Sequence, residues 1–215
     1  MSLGFSSDTF IFIQTNHLMN LIIFTKNPEL GKCKTRLAST VGDENALKIY
    51  KRLLEHTRKV SASLPLKRHL FYDQSIIKND LWDSKYFNKY VQVEGSLGEK
   101  MSAAFKTVFE QNDGPVLVIG SDCIDITENI IEGALTKLDN SDFVIGPTFD
   151  GGYYLLGMNK FSPEVLQNIN WSTETVFEET IKAIEGVGKN YACTKKLSDI
   201  DFEEDLNEEL RSLVV

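Results

Sequence analysis

The sequence predicts a single α/β domain built on a mainly parallel sheet with helices on both faces. Three observations predict it. Short apolar runs, such as Leu21-Ile22-Ile23-Phe24 and Val116-Leu117-Val118-Ile119, are continuous rather than alternating, the pattern of strands buried on both sides. Segments with helical periodicity lie between these runs through most of the length. No internal repeat, low-complexity tract or Gly/Pro/Ser-rich linker interrupts the 215 residues, enough for one sizeable core and too few for two.

Element by element, Leu21–Phe24 reads as the first strand, followed by a loop with Pro28 and Gly31. Asp43 is the expected N-cap of a helix reaching about Ser63, with apolar positions at Ala46, Leu47, Ile49, Tyr50, Leu53 and Leu54, and Pro65 stops it. His69–Tyr72 and Tyr90–Val93 read as the next strands. Residues 74–89 between them lack a clean period and carry aromatics that look exposed (Trp82, Tyr86, Phe87). A helix over Leu97–Gln111 turns Met101, Ala104, Phe105, Val108 and Phe109 to one face. After the Val116–Ile119 strand, Thr127 caps a helix to about Leu138, and strands follow at Phe143–Gly146 and Tyr153–Met158. Helices near 163–168 and 173–185, a strand near 190–196 and a helix from about 202 complete the pattern.

Residues 1–19 read as an N-terminal extension, either partly a cloning remnant or upstream of an alternative start, and 20–215 as the folded domain. The run Thr9–Ile13 is shorter than a signal-peptide core and lacks a basic flank and a cleavage site. No stretch approaches the roughly 20 apolar residues of a membrane helix. Three scattered cysteines, Cys33, Cys123 and Cys193, form neither a disulfide framework nor a zinc motif, which favours a reducing cytoplasm. The formal charge of −8 argues against broad nucleic-acid binding.

Four constellations carry chemistry. The first, Lys26-Asn27-Pro28-Glu29-Leu30-Gly31-Lys32-Cys33-Lys34-Thr35-Arg36, places four cations directly after a buried strand. Loop amides and the start of a helix with Lys26, Lys32, Lys34 and Arg36 suit phosphate, although the order is not that of a Walker A loop. A solvated basic turn is the plain alternative. The second, Gly120-Ser121-Asp122-Cys123, delivers a carboxylate to the C-terminal edge of a strand, where open α/β sheets bind ligands. Asp122 there suits Mg²⁺ or Mn²⁺ bridging a diphosphate, or else caps the following turn.

The third is Asp150-Gly151-Gly152-Tyr153-Tyr154, whose paired glycines permit a close backbone approach and also make a good hairpin turn. The fourth is Asp199-Ile200-Asp201. In an extended segment its two carboxylates share a face and can meet one cation. Glu204, three residues after Asp201, equally suggests the start of a capped helix. Trp171-Ser172-Thr173 reads as an N-cap preceded by a packing aromatic.

Taken in order, these stretches resemble a bacterial family of glycosyltransferase-like proteins, formerly a domain of unknown function, within the nucleotide-diphospho-sugar transferase superfamily. The resemblance rests on Phe24-Thr25-Lys26-Asn27-Pro28 through Lys34-Thr35-Arg36-Leu37, Gly95-Ser96-Leu97-Gly98-Glu99-Lys100-Met101 and Gly120-Ser121-Asp122-Cys123. It continues in Asp150-Gly151-Gly152-Tyr153-Tyr154-Leu155-Leu156-Gly157, Trp171-Ser172-Thr173, Leu197-Ser198-Asp199-Ile200-Asp201 and Glu204-Asp205-Leu206. Two departures, Ile124 where relatives often carry proline and Phe202-Glu203 where Thr-Pro is usual, leave every charged group in place.

The resemblance implies a Rossmann-like GT-A fold with the nucleotide over the N-terminal half of the sheet. It implies a metal, Mg²⁺ or Mn²⁺, at Asp122 completed by Asp199 and Asp201. Two transfers fit: glycosyl transfer from a nucleotide sugar to a small acceptor, with Asp150 as base, and nucleotidyl transfer from a nucleoside triphosphate to a phosphorylated acceptor with release of pyrophosphate. A non-catalytic nucleotide-binding regulator has less need of three carboxylates. Catalysis is assigned to Asp122 and Asp150, phosphate binding to Lys26, Lys32, Lys34 and Arg36, and the acceptor wall to Gly151, Gly152, Tyr153 and Trp171.

Overall fold

A computed structural model describes residues 19–214. The apolar run Thr9–Ile13 and nearly all of the expected extension lie outside the described residues. The strands are β1 (Asn20–Thr25), β2 (Lys67–Tyr72), β3 (Phe87–Val91), β4 (Val116–Ile119), β5 (Phe143–Pro147), β6 (Tyr153–Met158) and β7 (Tyr191–Cys193). They form one sheet in the order β3-β2-β1-β4-β6-β5-β7. Only β6 runs against its neighbours, β4 and β5, so the sheet is mainly parallel as expected.

Successive residues of the central strands β1 and β4 feed opposite cores, which is why Leu21–Phe24 and Val116–Ile119 are continuous apolar runs. Leu21, Ile23, Leu70, Leu117 and Ile119 pack with helices α1 (Thr35–Val41), α2 (Asp43–Ser63) and α4 (Glu128–Lys137). Ile22, Phe71, Val116, Val118 and Leu156 pack on the other face with α3 (Leu97–Gln111) and α5 (Val176–Gly186). Helix α3 opens with a full capping box: Ser96 Oγ accepts from Glu99 N, and the Glu99 carboxylate accepts from Ser96 N at 2.8 Å.

Several boundaries differ from expectation. Helix α1 is a seven-residue element with Leu37 alone buried, too short to show a period. Gly42, at φ 83°, both ends α1 and starts α2, so Asp43 is the first helical residue rather than the cap. A side chain at that φ is strained, whereas glycine turns the corner freely. Trp82 and Phe87 are buried and meet edge to face at 5.1 Å, while Tyr86 is exposed. The loop before β3 is anchored by Asp80, which accepts from Tyr72 Oη, Lys89 Nζ and Trp82 N. Strand β3 accordingly begins earlier than the expected Tyr90, at Phe87.

Residues Pro163–Leu166 form a 3₁₀ turn, and α5 begins only at Val176, after Ser172 at φ 66°. The expected last helix is broken. Asp205, not Glu204, accepts from Asp201 N and Phe202 N, closing a turn over Glu203–Asp205. Asn207 then caps a four-residue helix α6 (Glu208–Arg211). Among the described residues no helix is long and apolar enough to cross a membrane.

One buried group makes stability pH-dependent. His69, 1% exposed, stacks on Tyr90, its Nε2 lies 3.3 Å from Asn20 Oδ1, and its Nδ1 has no partner. Burial first, and the charge of Lys67 second, pull its pKa from 6.5 down to about 4. The unfolded chain therefore binds the proton more tightly. Stability is full above pH 6.5 and falls by about 3 kcal/mol as the pH drops towards 4. Urea unfolding between pH 7.5 and 4.5 checks this: His69→Gln should flatten that slope, and an unchanged slope assigns it to other groups.

Candidate functional site

The C-terminal edge of β1 and β4 is where the motifs converge. Strand β1 exits into Lys26, whose backbone N–H donates to Tyr50 Oη at 2.8 Å, while Tyr50 Oη donates to Lys26 O at 3.1 Å. Tyr50 Oη also lies 3.4 Å from Ser121 Oγ, so one phenol on α2 ties the first loop to the β4 exit. The loop is folded by Asn27 N donating to Asp73 Oδ1 (2.7 Å), by the positive φ of Gly31 and by buried Cys33. It ends at Lys34, held in the left-handed region at φ 49°, ψ 45° immediately before α1.

From the other side, the chain leaving β7 crosses the sheet edge towards β4. Leu197 pairs with Thr148, and Ile200 N donates to Asp122 O at 3.1 Å. That crossing brings Asp199 and Asp201 to Asp122. Lys34 Nζ is seated between Asp122 Oδ2 and Asp201 Oδ1, 3.0 Å from each, with the lysine side chain only 6% exposed. Arg36 Nη1 takes the other Asp201 oxygen at 3.1 Å, and its guanidinium lies over the Phe202 ring.

The electrostatics follow from this packing. Burial alone would lower the Lys34 ammonium, but Asp122 and Asp201 outweigh it and hold the pKa above its ordinary value. Asp201, which burial would raise, is held below the usual carboxylate range by Lys34 and then Arg36. Asp199 is the opposite case. Burial first, and the charge of Asp122 next, push its carboxyl well above the ordinary value, and its Oδ1 is buried without a hydrogen-bond partner.

Asp150 lies in the turn after β5. Its Oδ1 accepts from Thr148 Oγ1 and, at 3.2 Å, from Gly152 N, so the residue is at once a turn former and an exposed carboxylate. Its charge is felt at Asp199. Gly151, at φ 88°, is pressed against the backbone of Glu174, and Phe177 N donates to Gly151 O at 2.9 Å.

Of the sequence-predicted residues, Asp122, Asp199, Asp201, Lys34 and Arg36 meet in one cluster, with Asp150 beside it. The Lys26 side chain is exposed, and its charge reaches Asp201. Lys32 is not brought to the cluster: it pairs with Glu29 at 2.5 Å within its own loop. Tyr153 meets Trp171 edge to face at 6.3 Å, and its hydroxyl is buried, so it packs into the α3/α5 core. Trp171 stays half-exposed beside Gly98 at the start of α3.

Sequence reasoning missed Tyr50 as a site former, because it sits on the buried stripe of an amphipathic helix and no pattern shows where a phenol ends. It also missed Phe149 and Phe202, exposed rings next to Asp150 and Asp201; the only signal in the sequence was a phenylalanine adjacent to each acid.

Among the described residues, no three acid, histidine or cysteine side chains are gathered as a metal-holding group, and the Lys34 ammonium lies between two of the carboxylates. The donor set is nonetheless all hard oxygen, Asp199 Oδ1 is buried without a hydrogen-bond partner, and the charges of Asp122 and Asp201 act on that carboxyl. Asp122, Asp199 and Asp201 therefore fit Mg²⁺ or Mn²⁺ rather than a softer metal.

Residues 56–173 match the profile of a family described as uncharacterized proteins conserved in bacteria (DUF2064). A crystal structure from Desulfovibrio desulfuricans G20, of a protein provisionally called a nucleotide-diphospho-sugar transferase, is 28% identical over 90% of each chain, with a TM-score of 0.79. The inositol-1-phosphate CTP transferase of T. maritima is 12% identical, covers 92% of this chain and 95% of its own, and has a TM-score of 0.63. The 4-diphosphocytidyl-2C-methyl-D-erythritol synthase of Anaerococcus prevotii DSM 20548 is also 12% identical, covering 88% and 94%, with a TM-score of 0.56. These last two likenesses are of fold alone. No curated protein matches the chain in sequence. With the family profile spanning more than half of it, the chain belongs to the DUF2064 family of bacterial proteins and carries the nucleotide-diphospho-sugar transferase fold.

Proposed function

We propose that this protein is a metal-dependent transferase that takes a nucleotide-activated donor, and that it moves a glycosyl group from a nucleotide sugar to a small acceptor. The single observation that carries the reading is the meeting of Lys34 and Arg36 with Asp122, Asp199 and Asp201 at the C-terminal edge of the parallel strands. Cations and hard carboxylates side by side suit a diphosphate shared between basic side chains and a divalent ion. The name given to the Desulfovibrio protein supports a nucleotide-sugar donor.

Each side chain has a task. Asp122, Asp199 and Asp201 would hold Mg²⁺ or Mn²⁺, which when bound supplies charge neutralisation for the leaving diphosphate. Lys34 and Arg36 bind the phosphate oxygens through charge-assisted hydrogen bonds, with Lys26 adding charge at the rim. Asp150 receives the proton of the attacking acceptor hydroxyl at Oδ2, since Oδ1 is committed to Thr148 and Gly152. Gly151 and Gly152 shape the turn that aims it, and Trp171 borders the acceptor side.

Nucleotidyl transfer is the second reading, favoured by one observation: two cations already engage this small acid cluster, and a triphosphate carries more charge to neutralise. The two separate by product. With Mg²⁺ and a panel of nucleotide sugars, glycosyl transfer stabilises the protein against heat and releases nucleoside diphosphate when an acceptor is supplied. A ligand at 100 times its dissociation constant adds about 2.7 kcal/mol, enough to read as a melting shift. Stabilisation by triphosphates instead, with pyrophosphate released on adding a phosphorylated acceptor, transfers the assignment to the second reading. No metal-dependent response to either donor class overturns both.

A further inference from the structure

We propose that Lys34 is a tethered cation that occupies the carboxylates in place of a divalent ion and gives them up only to a phosphate-bearing ligand, so that metal and nucleotide enter together rather than metal first. The proposal rests on the reading above that metal and diphosphate share this cluster.

Three observations carry it. The ammonium is 3.0 Å from Asp122 Oδ2 and 3.0 Å from Asp201 Oδ1, two of the oxygens assigned to the metal. A Mg²⁺ ion needs such oxygens at about 2.1 Å with water or phosphate completing its shell, so ion and ammonium exclude one another there. The lysine is also enclosed: its side chain is 6% exposed, and its backbone is held in the left-handed region, sparsely populated for a residue with a side chain. Withdrawing a buried ammonium from two carboxylates is costly unless another anion receives it, and phosphate oxygens are that anion.

The charge balance points the same way. Lys34 bonds Asp122 and Asp201, and Arg36 takes the remaining oxygen of Asp201. A divalent ion arriving alone meets carboxylates already neutralised by two cations. A diphosphate draws Lys34 and Arg36 towards itself and returns the carboxylates to the metal.

The test titrates Mn²⁺ alone, followed by the free-ion paramagnetic resonance signal, into wild type, Lys34→Met and Lys34→Gly. Glycine accepts the left-handed backbone, so the second variant keeps the loop if methionine strains it. Both variants should bind Mn²⁺ at least tenfold more tightly than wild type with no phosphate present. Adding Asp122→Asn to Lys34→Met should abolish that gain. Unchanged or weaker Mn²⁺ binding in the single variants overturns the proposal, and a gain that survives Asp122→Asn overturns it too, because the ion is then bound elsewhere. The underlying reading is judged separately by melting wild type with pyrophosphate. A Mn²⁺-dependent rise there, with no gain in the Lys34 variants, keeps the shared site and sinks the exclusion. No rise sinks the shared site itself.

Discussion

Asp122→Asn is expected to lower transfer by about 10³-fold while leaving a folded protein. The size follows from the role: if a divalent ion at this carboxylate contributes several kcal/mol to stabilising the leaving diphosphate, losing about 4 kcal/mol costs three decades in rate. The fold should survive because Asp122 is at the sheet edge, its side chain 37% exposed, while the strand behind it is buried at all four positions. Lys34 keeps Asp201 as a partner, so the substitution does not orphan the ammonium. Turnover measured over a series of Mn²⁺ concentrations, with a melting curve for each variant, separates the two effects. A variant that retains wild-type turnover removes Asp122 from the mechanism. One that loses turnover only in proportion to lost folded protein makes it structural.

Gly151→Ala is the substitution expected to cost most in stability, about 3 kcal/mol. A Cβ at this position would sit 1.9 Å from Glu174 O, and φ of 88° is strained for any other residue. Either effect alone is worth a kcal/mol or more, and the backbone of Glu174 is not a flexible tip that can swing aside. The displacement is transmitted to Asp150, whose Oδ1 is fixed within the same turn, so activity should fall beyond the loss of folded protein. Urea unfolding gives the first number and activity per folded molecule the second. A change in stability below about 0.5 kcal/mol would show that the turn relaxes.

Much of this was legible in the sequence, and the reasons differ by element. The strand Val116–Ile119 and the helix Leu97–Gln111 have the expected boundaries, because a continuous apolar run and a clean stripe with a Ser-x-x-Glu start leave little choice. Helix α1 was not legible: at seven residues with one buried side chain it has no period to read. The exposed aspect of Trp82 and Phe87 was misread because their burial depends on the Asp80–Lys89–Tyr72 anchor, which joins residues from a loop and two strands.

In the site, the types of the charged residues announced themselves, and their partners did not. Lys34 enters the acid group while Lys32 pairs with Glu29 inside its own loop, and no spacing in the sequence distinguishes the two. Tyr153 and Tyr154 look interchangeable in sequence, but an irregularity at Gly146/Pro147 sends the first into the α3/α5 core and the second to the opposite one.

On the proposed function, one cluster at the C-terminal edge holds a divalent ion and a diphosphate together. Anomalous diffraction from crystals grown with Mn²⁺ and pyrophosphate tests it most directly. A manganese peak is expected within bonding distance of Asp122 and at least one of Asp199 and Asp201, with Lys34 Nζ turned to a phosphate oxygen. Manganese at another place, or Lys34 still seated between Asp122 and Asp201 with the pyrophosphate bound elsewhere, would contradict it.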